Sequence, residues 1–124
     1  MIRRRPLLLW LLCFVPVTGA TVLPLCGLMF RCGCTLRSGE KYCNVHERFT
    51  PHCPWCEGGA KAFLPGYALA TASAGAVAAA ILRRRGSPWR ALLISLLVYF
   101  PLMALGGLIA AKAMHYPMWF GMRV

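Results

Sequence analysis

From Pro6 to Phe30 the chain runs for 25 residues without a charged side chain. Coiled at about 1.5 Å per residue, such a stretch exceeds the roughly 30 Å hydrocarbon core of a bilayer, with length to spare for tilt. Two more apolar stretches follow, Ala62–Leu82 and Ala91–Ala111, and neither carries a charge. The expected fold class is therefore an all-α integral membrane protein. It would have three transmembrane helices over about 6–30, 62–82 and 91–111, forming one membrane domain. A Cys/His-rich loop over 31–61 joins the first two spans, and a tail over 112–124 follows the third.

Composition supports the same reading. The chain is 59% hydrophobic with only three carboxylates, a balance that would leave a soluble protein of this size covered in apolar surface. Its net charge of +11 does not mark a nucleic-acid binder. Arg3, Arg4, Arg5, Arg83, Arg84, Arg85 and Arg90 flank apolar segments instead of lining one soluble face. Placing these arginines in the cytoplasm puts the amino terminus inside and the Cys/His loop and tail outside. In a bacterium that is an inner-membrane protein with a periplasmic loop. The first span has a rival reading as a secretory signal, with Arg3–Arg5, LLLWLLCFV and then the small residues Thr18-Gly19-Ala20. Against that, the apolar run continues to Phe30.

The second span repeats small residues every fourth position, at Gly66, Ala70, Ala74 and Ala78. The third offers Gly106/Ala110 and Gly107/Ala111. Such faces let helices approach closely, so protein partners or a second copy are expected there. Pro16, Pro24 and Pro101 are expected to kink their helices. Gly86, Ser87 and Pro88 predict a helix end, a cap and a new first turn. The tail, with Met114, Met118 and Met122 beside His115, Tyr116, Trp119 and Phe120, reads as an amphipathic segment at headgroup level. Its methionines and histidine are also a conceivable copper set.

The loop holds five of the seven cysteines, two of the three histidines and every acidic residue. Cys43-x2-His46 and Cys53-x2-Cys56 form two hooks, together the four ligands of a closed tetrahedral Zn²⁺ site. Cys32, Cys34 and His52 are possible additional ligands, for a second metal or an iron–sulfur cluster. A segment this short cannot fold on apolar burial alone, so it needs a metal, crosslinks or a partner. Disulfides are the competing account for an external loop, although five cysteines cannot all pair internally. Cys13 and Cys26, within the first span, read as buried apolar fillers.

The run Cys53-Pro54-Trp55-Cys56-Glu57-Gly58 resembles the metal-binding knuckle of rubredoxins and zinc ribbons, departing from it at Glu57. The same Cys-Pro-x-Cys beside a membrane helix is similar to the thiol-oxidising membrane proteins that pass electrons to quinone, which implies redox work for Cys53 and Cys56. Attachment of a c-type haem would want a histidine directly after Cys56, where Glu57 stands. No nucleotide loop or nucleophile elbow is present, and no charged relay crosses a span. The expectation is a small membrane protein with a metal-binding Cys/His loop, acting as an accessory or assembly subunit of a larger membrane complex. Thiol–disulfide chemistry and metal handling or transport are the alternatives.

Overall fold

The computed structural model describes residues 4–35, 37, 43–46, 48–49, 51–84 and 86–123. Arg3, Glu40, Tyr42, Glu47 and Arg85 lie outside these residues. Three helices dominate: α1 over Arg4–Phe30, α2 over Pro54–Arg83 and α3 over Pro88–Ala113. All three are long and apolar enough to cross a membrane. Their outward faces are aliphatic, with Leu12 70%, Leu97 73% and Ile109 61% exposed. That surface suits lipid better than water.

α1 continues through Pro16 and Pro24, and α3 through Pro101. α2 begins at Pro54, well ahead of the expected Ala62, because Cys53-Pro54 starts a helix with proline in its first turn. The path changes at Gly59, whose φ of 54° and ψ of −139° break the helical run. Only glycine adopts that conformation without strain. Residues 54–58 thus belong to the loop's architecture, and the span proper follows. At the far end of α2 the Gly86 amide reaches back to the Ile81 carbonyl at 3.0 Å, closing the helix as a Schellman turn does. A Cβ on Gly86 would lie 2.5 Å from Ile81 Cγ2. Ser87 starts α3 through its carbonyl, which accepts the Ala91 amide at 3.0 Å; its hydroxyl makes no cap bond.

α2 and α3 pack along most of their length, while α1 leans mainly on α3. The α2–α3 crossing is set by glycine against glycine: a Cβ built on Gly66 would lie 3.3 Å from the Gly106 Cα. Ala70, Ala74 and Ala78 on the same stripe are fully buried. Ser95 locks the seam, its hydroxyl lying 2.6 Å from the Ala91 carbonyl and 3.1 Å from that of Ala74. The small-residue stripe of the second span is thus used within the chain. A column of rings threads all three helices. It runs Trp10, Phe14, Tyr99, Tyr67, Phe63, Trp55 and Phe30, with successive centroids 4.7–6.2 Å apart.

The tail, read from composition as an amphipathic interfacial segment, forms a hairpin and not a further helix. Beyond Ala113 the chain turns and forms a short hairpin of β1, Met118–Trp119, and β2, Met122–Arg123. Phe120 and Gly121, both at positive φ, make the two-residue turn that such a hairpin requires. The Phe120 amide donates to the Met29 carbonyl at 2.7 Å, and the Tyr116 hydroxyl donates to the Phe30 carbonyl at 2.8 Å. The tail therefore satisfies carbonyls that the end of α1 leaves without helical partners.

Candidate metal centre

Six cysteines from three parts of the chain meet where α1 ends and α2 begins. Cys26 lies one turn before the end of α1, and Cys32 and Cys34 follow that end on an irregular strand. Arg31 and Gly33, at φ of 50° and 86°, reverse the chain so that both cysteines turn inward. A side chain on Gly27 would collide with the Cys34 carbonyl, so glycine is what lets this strand lie against the helix. Cys43 precedes the single 3-10 turn described, Asn44–His46. Cys53 and Cys56 occupy the cap and the first turn of α2, ahead of the break at Gly59.

The sulfurs are close. Cys26 Sγ is 3.3 Å from Cys53 Sγ, 3.4 Å from Cys32 Sγ and 4.0 Å from Cys56 Sγ, and Cys34 Sγ is 3.6 Å from Cys56 Sγ. The triads Cys26/Cys32/Cys53, Cys26/Cys34/Cys56, Cys32/Cys34/Cys43 and Cys43/Cys53/Cys56 each have their sulfurs mutually within 4.8 Å. Five of the six are buried, and Cys56 is half-buried. All are free thiols.

Asn44 holds the loop closed. Its Oδ1 accepts the Cys53 amide at 2.8 Å and the Cys43 thiol at 3.8 Å. Its Nδ2 donates to the Pro51 carbonyl at 2.8 Å and to the Tyr116 hydroxyl at 2.9 Å. The Asn44 amide meanwhile donates to the Cys32 carbonyl at 2.9 Å. Asn44, by side chain and backbone together, thus ties three cysteine segments to the tail. Around them Phe30 makes edge-on contacts with Trp55 and Tyr116, at centroid distances of 5.4 and 5.7 Å, walling the sulfurs from the bundle.

Electrostatically the cluster is unbalanced. Hydrogen bonding with the Cys26 thiol draws Cys32 and Cys53 below the ordinary thiol range. Burial pushes Cys34 up to about 12, and burial likewise raises Tyr116 to about 12. Six sulfur donors this close together suit a bound soft cation.

Of the expected ligands, the structure brings Cys43, Cys53 and Cys56 into one triad and adds Cys32 and Cys34 through the others. His46 stands on the 3-10 turn, exposed and outside these triads. His52 Nδ1 faces Glu57 Oε1 at 3.4 Å. Cys26, read from sequence as an apolar filler, instead belongs to two triads, whereas Cys13 belongs to none. Asn44 and Tyr116 were not anticipated either. Fold and site together define a three-helix membrane-type bundle capped by a buried polythiol centre. The chain matches no protein-family model, no characterised protein and no solved structure.

Proposed function

We propose that this chain is a membrane protein that binds soft, thiophilic metal ions through an all-cysteine centre and serves as a metal-handling accessory protein. The observation that carries this is the convergence of six free cysteine sulfurs, five of them buried, on one locus. A structural zinc site uses four ligands, and here two thiols exceed that need. The half-buried Cys56 gives the centre an outward edge through which an ion can enter and leave. The arginines at both ends of the opposite face support an orientation with the amino terminus in the cytoplasm and the cysteine centre outside, in an inner membrane.

A second reading has its own support: Cys53 and Cys56 flank the first turn of α2, an arrangement that activates thiols for disulfide exchange. The two are separated by purifying the protein in mild detergent without chelator, then measuring bound metal and free thiols together. Metal binding predicts protected thiols, released on chelation, with bound ion lost in Cys53→Ser. A metal-free protein whose cysteines are already crosslinked would overturn the proposal in favour of redox work.

A further inference from the structure

We infer that the ion held here is copper(I), and that it is bound as a four-metal, six-thiolate cluster. This rests on the metal-binding reading above and specifies its chemistry. The argument is the topology of the sulfurs. Twelve of the fifteen possible sulfur pairs lie within 4.8 Å. Each sulfur thus has four such neighbours, as each vertex of an octahedron does.

One metal on each of four alternate faces would be bonded to three sulfurs, and each sulfur would bridge two metals. With metal–thiolate bonds of about 2.3 Å, a planar three-coordinate ion sets its sulfurs about 4.0 Å apart. The closest contacts here span 3.3–4.0 Å. Copper(I) is the physiological metal that combines preference for thiolate with ready three-coordination. Zinc fits less well. Two tetrahedral zinc ions sharing two bridging sulfurs would leave four sulfur pairs at opposite ends of the cluster, and at most three pairs lie apart here. A single zinc would leave two thiols packed against it without a role. An iron–sulfur cube holds its cysteines on the outside of an inorganic core, well separated, whereas these sulfurs touch one another.

The step balances without a redox partner. Four Cu⁺ ions held by six thiolates give a cluster of net charge −2, and whatever protons the six sulfurs carried are released to solvent.

The test is to load the intact protein in detergent with copper(I) under anaerobic, reducing conditions and to count bound ions by native mass spectrometry. The expected result is a cooperative jump from zero to four coppers. X-ray absorption should show three sulfurs per copper and a short copper–copper vector, and the loaded protein should luminesce as copper–thiolate clusters do. Cys26→Ser removes a vertex shared by two faces and should lose at least half of the copper. Cys13→Ser should keep all four. Helical circular dichroism of each variant guards against simple misfolding, and the wild-type stoichiometry decides the matter even if Cys26→Ser fails to fold. Stepwise filling, or one or two tightly held zinc ions in preference to copper, would overturn the cluster while leaving a metal centre in place. No bound metal and crosslinked cysteines would overturn both.

Discussion

The two ends of the α1–α3 assembly are built on different physics. Along the α2–α3 seam, cohesion comes from backbone approach: Gly66 on Gly106, three buried alanines, and one serine bridging to the Ala74 carbonyl. Few polar groups are involved, and the seam would be the same with or without an ion. At the cysteine end the apolar contacts are few and aromatic, Phe30 edge-on to Trp55 and Tyr116. Order there comes from Asn44, from the tail folded over the end of α1, and from the sulfurs themselves. The seam is thus a scaffold that stands unaided, and the site is a segment whose order depends on specific bonds and on what it binds.

The sharpest way to break the scaffold is Gly66→Leu. A Cβ at this position already meets the Gly106 Cα at 3.3 Å, and backbone cannot move aside as a side chain tip does. Overpacking of this kind costs roughly 1–3 kcal/mol, and here it would also part the helices that carry the site. The expected outcome is a clear loss of resistance to unfolding in mixed detergent, followed by circular dichroism, with metal content falling alongside. Retention of wild-type stability would mean that α2 and α3 do not cross at these glycines.

Asn44→Ala attacks the other region. It leaves the amide of fully buried Cys53 without its acceptor and removes the bonds to Pro51 and Tyr116. An unsatisfied buried donor costs roughly 1–3 kcal/mol, but the damage should stay local. Hydrogen exchange at residues 43–57 is expected to rise and metal to dissociate faster, while α2 beyond Gly59 and α3 keep their protection. Uniform loosening of the whole bundle would show that the two regions are not separable.

The same contrast explains what could be read from the residues alone. Long uncharged runs predict spans reliably because the bilayer admits little else, and α1 and α3 lie close to the expected limits. The stripe at Gly66, Ala70, Ala74 and Ala78 pointed to close packing, though its occupant turned out to be α3 of the same chain. The site was less legible. Cys26 sits in an apolar run, where a thiol counts as one more hydrophobe. The available signal was its position one turn before the helix end, six residues from Cys32. The early start of α2 was hidden because Cys-Pro-x-Cys reads equally as a knuckle and as a helix start. Asn44 and Tyr116 are 72 residues apart, and their contact exists only because the tail forms a hairpin. No local pattern encodes that.

The smallest effect is also the most discriminating. The two hooks seen in the sequence, Cys43-x2-His46 and Cys53-x2-Cys56, ask for an imidazole as fourth ligand. In the folded chain the His46 backbone amide lies 3.2 Å from the Cys43 carbonyl, and the residue is exposed. The inner position is taken by Cys26, delivered from the opposite direction by α1. A Cys/His zinc site would therefore lose one ligand in four in His46→Ala, and its affinity would fall steeply. An all-cysteine centre should be indifferent: the same number of metal ions per chain, with unchanged affinity. Pairing His46→Ala with His52→Ala closes the route by which one imidazole might substitute for the other. If the double variant binds metal as the parent does, neither loop imidazole is a ligand and the centre is built on sulfur.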